Sequence, residues 1–204
     1  MFSNIIFTKD CNKCFKELEL KYFINDDVDV CNECSNTTKQ KNIINIYVDS
    51  GQNKHTNKTS WCCVTDEFGN DIIGKYKYLL EEFRIEQKSL PVGSRYVGIV
   101  DFDTTNSMKN NSGELLAMVI GLRIAINKIT NNKYDKVVLY SDSNLMVMWW
   151  SLNKINSSTR SKMEYIKLKL IEECYNLRCK FETMGGEVLW ISGDKNPADL
   201  GYHK

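Results

Sequence analysis

Four acidic residues, each at the edge of an apolar run, constrain the fold of this 204-residue chain more than any other feature. Asp49 follows IINIYV, Glu114 opens ELLAMVIGL, Asp142 follows VVLYS, and Asp199 lies in GDKNPADLG just after LWIS. A carboxylate at the tip of a buried strand, or at the inner end of a helix, is costly unless something positive meets it. Four such groups brought together imply bound cations, and hard oxygen ligands imply Mg²⁺ or Mn²⁺.

Hydrophobic residues make up 42% of the chain, with two Pro and 11 Gly, which is a globular composition. The length holds one ordinary domain plus a small appendage. A net charge of +1 sets up no global basic field for a nucleic acid. Residues 154–180 carry seven Lys/Arg against three Asp/Glu, which reads either as a phosphate-facing surface or as a solvated helix face. No run approaches the roughly 18–20 apolar residues of a membrane span. The start, MFSNIIFTKDC, lacks the basic residues and long apolar core of a secretory signal. A monomer in a reducing compartment, cytoplasm or nucleus, is therefore expected. Eight cysteines in that setting favour metal ligation and buried thiols over disulfides.

Residues 1–40 read as a separate small unit. Cys11, Cys14, Cys31 and Cys34 form C-x2-C-x16-C-x2-C, a spacing that offers two thiolate pairs to one tetrahedral Zn²⁺. So short a segment needs a metal staple to fold. The pattern resembles four-cysteine zinc-ribbon or treble-clef-like knuckles. Residues 1–40 hold five Lys/Arg against seven Asp/Glu, so this finger suits a protein contact better than a phosphate backbone. The four remaining cysteines, Cys62, Cys63, Cys174 and Cys179, read as buried thiols.

After a polar linker, residues 41–204 alternate in period. Strands are expected over Ile43–Val48, Thr59–Asp66, Arg95–Phe102, Lys136–Tyr140 and Glu187–Ile191. Residues 79–90 read as an insertion with a short helix. Ser112 is the expected N-cap of a helix over Gly113–Ile129, in which Ala117, Gly121 and Ala125 share a face with Glu114 and allow close approach to a sheet. Further helices are expected over Asn144–Leu152 and Thr159–Cys179, the latter with a core stripe of Met163, Ile166, Leu170, Cys174 and Leu177. Trp149 and Trp150 are candidates for the core or for stacking on a strand. The result is an α/β fold, a five-stranded mixed sheet with flanking helices, preceded by the small zinc finger.

This order of elements, with its four acids, resembles the ribonuclease H family over residues 43–204. YVDSG is similar to the first-strand motif, NNSGELLAM to the helix start, YSDS to the fourth-strand motif, and LWISGDKNPADLG to the closing segment, particularly in its retroelement form. Any one of these is weak, but the four in order are a strong joint signal. The resemblance implies that Asp49, Glu114, Asp142 and Asp199 are the catalytic metal ligands, holding two Mg²⁺ (or Mn²⁺) roughly 4 Å apart. It implies hydrolysis of the RNA strand of an RNA–DNA hybrid, leaving 5′-phosphate products. Asn110 and Asn111 match an amide pair that contacts ribose 2′-hydroxyls, for which amides supply both donors and acceptors. Lys109 stands where a Thr meets a DNA phosphate, and Ser50 lies in the turn near the substrate. The closing motif and the appended finger lean toward a viral or mobile-element source.

The chain departs from the family in several places. Asp49-Ser50-Gly51 replaces the usual Asp-Gly-Ser, and the loop before Asp199 has no His. Asp199 is followed by only five residues, so it is expected to be the least securely held of the four. His55 and His203, the two histidines of the chain, lack the setting of a nucleophilic triad. His55, in a Lys-rich loop, reads as a surface residue or a phosphate contact. Two other readings stand beside the first: a DNA-cutting nuclease of the same fold, resolvase- or integrase-like, and a catalytically degenerate nucleic-acid or protein adaptor.

Overall fold

The computed structural model describes residues 8–10, 17–19, 42–52, 60–82, 86–89, 96–100, 109–131 and 134–199. The chain falls into two compact units, Met1–Lys41 and Asn42–Lys204. In the first, β1 (Thr8–Asp10) pairs antiparallel with β2 (Glu17–Glu19). Cys11, Cys14, Cys31 and Cys34 all lie outside the described residues.

The second unit is built on a sheet of six described strands in the order β5-β6-β4-β3-β7-β8. β3 (Ile43–Gln52) lies near the middle. On one side it meets β4 (Ser60–Thr65) antiparallel, and β4 in turn meets β6 (Tyr96–Val100) and β6 meets β5 (Glu86–Ser89), also antiparallel. On the other side β7 (Lys136–Ser141) and β8 (Glu187–Trp190) run parallel to β3. The expectation of five strands is one short. Residues 79–90 hold both the end of α1 (Lys77–Glu82) and the edge strand β5. Its sequence, EQKS, has no apolar alternation to announce a strand, and a polar edge discourages further pairing.

α2 (Lys109–Thr130) runs between β6 and β7 in sequence and packs on β3, β4 and β7, with α5 (Tyr165–Thr183) on its other side. A helix covered on both sides must be apolar nearly all round, and residues 115–120 of α2 are fully buried. A Cβ on Gly121 would come 2.5 Å from Val48 Cγ1 and 3.0 Å from Leu139 Cδ1, so the missing side chain sets how closely helix and sheet approach. The helix starts at Lys109, ahead of the expected Gly113, and Ser112 is a buried residue of its first turn instead of its cap. On the exposed side of α2, Arg123 bonds Glu82 of α1 at 2.6 Å and Glu173 of α5.

α3 (Asn144–Met148) continues as a 3-10 turn, Trp150–Leu152, so the expected single helix breaks at Trp149. α4 (Ser157–Arg160) is one turn, capped by the Asn156 side chain accepting from the Thr159 amide at 2.7 Å. α5 spans Tyr165–Thr183. Its buried face is Lys167, Leu170, Ile171, Cys174, Arg178 and Phe181, while Ile166 is 66% exposed, contrary to the expected stripe. Arg178 is a charged member of that buried face. Its guanidinium donates to the Val147 carbonyl at 2.6 Å, to Ser151 Oγ at 2.7 Å and to Glu182 at 2.7 Å, which makes its burial tolerable. Two of the seven basic residues between 154 and 180, Lys167 and Arg178, are therefore inside. Gly185, at φ 87°, ends α5 in a left-handed turn that leads into β8.

Cys62, Cys63 and Cys174 are buried as expected, whereas Cys179 is exposed. No helix among the described residues is long and apolar enough to cross a membrane.

Candidate metal centre

Strand register puts the acids together. β3, β7 and β8 run parallel, so their C-terminal ends share one edge of the sheet, the edge where open α/β sheets place their ligands. Val48 pairs with Ser141, and Ser141 with Trp190. The residue after each of the first two is an acid, Asp49 and Asp142. The first turns of α2 bring Glu114 to the same place. Carboxylate oxygens of Asp49, Glu114 and Asp142 all lie within 4.8 Å of one another.

Asp49 is 2% exposed and Glu114 7%. Asp49 Oδ1 accepts the Ser50 amide at 2.7 Å, but Asp49 Oδ2 and Glu114 Oε2 are buried without a hydrogen-bond partner among the described residues. Burial first, then the nearby Glu114, Asp142 and Asp199 carboxylates, push the Asp49 carboxyl from 3.8 up to about 9, against the Ser50 amide. Burial and Asp142 likewise push Glu114 from 4.5 to about 8, opposed by a hydrogen bond from the Ser50 side chain. Among the described residues, the charged groups that act on these two acids are themselves acidic.

Buried carboxyls crowded by other carboxyls hold protons, or hold a metal ion in their place. The donor set is all oxygen, which suits Mg²⁺ or Mn²⁺. With oxygens within 4.8 Å of one another, the three carboxylates are close enough to serve one ion.

Asp199 arrives by a different route. After β8 the chain makes a 3-10 turn, Gly193–Lys195, and doubles back. A Cβ on Gly193 would lie 3.0 Å from Asp142 Oδ2 and 4.0 Å from Asp199 Oδ2, so this glycine lets the turn sit against both acids. Asn196, 4% exposed, donates its side-chain amide to the Val48 carbonyl at 3.1 Å and accepts the Ala198 amide at 3.1 Å. Its own carbonyl accepts the Asp199 amide at 3.0 Å. Ala198 is fully buried. Asp199 is thus held by a bonded turn and a buried neighbour, where the sequence reading expected a loose one. The Trp190 indole adds a bond to the Asp142 carbonyl at 3.0 Å.

Of the other expected site residues, Ser50 is fully buried and turned toward Glu114. Asn111 is half-buried in the first turn of α2, three residues before Glu114 and so on the same side of the helix. Lys109 and Asn110 begin α2, and only their backbone is described. His55 and His203 lie outside the described residues. Trp150 is buried in the core, while Trp149 is 55% exposed beside a cavity of about 480 Å³ that Lys154 and Ile155 also line. Sequence reasoning missed Gly193, Asn196 and Trp190. Asn196 stood in view within NPAD, but its partner Val48 is 148 residues away.

No family model matches the chain, and no curated protein matches it. Among solved structures, RNase H1 from the halophilic archaeon Halobacterium salinarum NRC-1 is similar at 11% identity and TM-score 0.42, covering 76% of this chain and 90% of that one. LC11-RNase H1, isolated from compost by a metagenomic approach, is similar at 20% identity and TM-score 0.44, covering 78% and 91%. The same LC11-RNase H1 in complex with an RNA/DNA hybrid gives 19% identity and TM-score 0.39, covering 75% and 88%.

Proposed function

We propose that the chain is a metal-dependent endonuclease that hydrolyses the RNA strand of RNA–DNA hybrids, leaving 5′-phosphate ends. One observation carries the reading: Asp49 Oδ2 and Glu114 Oε2 are buried and within reach of Asp142, and among the described residues neither oxygen has a hydrogen-bond partner and the charges acting on Asp49 are other carboxylates. A core that only needed packing would not gather such groups. Asp49, Glu114, Asp142 and Asp199 would hold two divalent cations, which supply an activated water and charge stabilisation at the leaving oxygen. Ser50 restrains Glu114, and Asn196 restrains the turn bearing Asp199. The preference for RNA rests on Asn110 and Asn111, whose amides suit a 2′-hydroxyl as donor and acceptor. Lys109 would meet a phosphate of the DNA strand as a point charge. The cysteines of the first unit would hold one structural Zn²⁺.

Cleavage of four labelled substrates in Mg²⁺ tests the proposal: RNA–DNA hybrid, duplex DNA, duplex RNA, and DNA with a single embedded ribonucleotide. The hybrid should be cut in its RNA strand and duplex DNA left intact. Cutting of duplex DNA with no cutting of hybrid contradicts the proposal and favours the resolvase-like reading.

A further inference from the structure

Asn196 uses every part of its amide and peptide to tie one end of the site to the other. Its side-chain nitrogen donates to the carbonyl of Val48, the residue before Asp49, at 3.1 Å. Its side-chain oxygen accepts the amide of Ala198, the residue before Asp199, at 3.1 Å. Its backbone carbonyl accepts the amide of Asp199 itself at 3.0 Å, and its backbone amide donates to Gly193 O at 3.1 Å. The side chain is buried, at 4% exposure, so water does not compete for these bonds. Gly193, at the other end of the same turn, faces Asp142 Oδ2.

Between Asn196 and Gly193 the closing turn is therefore referenced to both strands that carry acids. We propose that Asn196 is a positioning residue for the fourth carboxylate: it sets the distance between Asp199 and the Asp49–Glu114–Asp142 cluster. That distance decides whether a second divalent cation shares the site. The inference rests on the metal-binding part of the proposed function and not on the choice of substrate. Asn196 touches no reacting group, and its effect passes through Asp199. Hydrogen-bonding partners behind metal ligands typically change metal affinity about 10–100-fold when removed.

The test is calorimetric Mn²⁺ titration of the full chain, with melting temperature in chelator as a control, for wild type, Asn196→Ala, Asp199→Asn and the double variant. Two binding events are expected in wild type. Asn196→Ala should weaken the weaker event on the order of tenfold or more and leave the tighter one in place. Asp199→Asn should do the same, and the double variant should be no weaker than Asp199→Asn alone. Asn196→Asp keeps the acceptor for Ala198 but loses the donor to Val48. It should match Asn196→Ala, and it carries the test if the alanine variant does not fold. A lowered melting temperature with unchanged Mn²⁺ binding overturns the inference, because Asn196 is then only a structural staple. Full additivity in the double variant, or a wild type that binds no Mn²⁺, overturns it as well. A wild type that binds two Mn²⁺ with these variant effects but cuts no hybrid leaves the inference standing and removes the substrate reading.

Discussion

The carboxylates of Asp49 and Glu114 meet where the end of β3 faces the start of α2, and each has one buried oxygen that accepts no hydrogen bond from the described residues. Their shifts of the carboxyl to about 9 and about 8 make the folded chain bind protons more tightly than the unfolded chain, whose acids titrate near 3.8 and 4.5. The sign follows from linkage. In chelator, the contribution of these acids to stability is fully present below about pH 4 and is lost as pH rises through 8 to 9. A divalent cation displaces those protons, so its stabilising effect grows over the same range. Melting curves at pH 6 and pH 8.5, with chelator and with Mn²⁺, check this. The gap between the two conditions should be wider at pH 8.5.

Neutralising one member of the cluster separates stability from function. Asp49→Asn removes a carboxyl that must take up a proton on folding at neutral pH and keeps the shape, so the metal-free protein should melt higher at pH 7. A gain of 1 kcal/mol corresponds to roughly 2–4 °C for a unit of this size. The same variant should lose tight Mn²⁺ binding and all detectable cleavage, the trade expected of a strained functional site. A metal-free melting temperature that falls would show that the cluster is not under charge strain.

Much of this site was legible before the structure, because an acid at the end of an apolar run is an unusual choice. Register then does the assembly: with β3 and β7 parallel and Val48 opposite Ser141, Asp49 and Asp142 must be neighbours. Other features were hidden for physical reasons. β5 is held by its backbone ladder to β6, so its polar sequence carried no strand signal. The early start of α2 was masked because Asn and Ser favour caps and turns. The buried face of α5 includes Lys167 and Arg178, which hydropathy assigns to solvent. The hold of Asn196 on Val48 spans 148 residues and leaves no local trace.

The close seat of α2 on the sheet should be sensitive to a single methyl. Gly121→Ala improves helix propensity by roughly 1 kcal/mol. It also places a Cβ 2.5 Å from Val48 Cγ1 and 3.0 Å from Leu139 Cδ1. Overpacking a tight core costs about 1–3 kcal/mol, so the clash should win. Urea unfolding should show a net loss of up to about 2 kcal/mol. A stabilised variant would mean that helix and sheet lie farther apart than described.

Arg178 should behave as a structural cation. Arg178→Ala takes the guanidinium donor away from the Val147 carbonyl and from Ser151 Oγ, which keeps its own bond to the Met146 carbonyl. A loss of about 2–3 kcal/mol is expected from bonds to a charged donor. Arg178→Lys should recover less than half, because a single ammonium does not reproduce the guanidinium fork. Denaturant midpoints of the two variants check both values. Equal stability of the lysine variant and wild type would contradict the assigned geometry.

The proposed function requires the buried acids to hold divalent cations for the cleavage of RNA paired to DNA. Its most direct measurement is cleavage of an end-labelled hybrid as Mg²⁺ is titrated from zero, for wild type and Asp142→Asn side by side, with hybrid binding followed separately. Wild type should cut nothing without metal and should cut the RNA strand once Mg²⁺ is added. The variant should retain hybrid binding and show no cutting. Cleavage that survives chelation or Asp142→Asn, or a wild type that binds hybrid and never cuts it in any Mg²⁺ concentration, would contradict the proposed function.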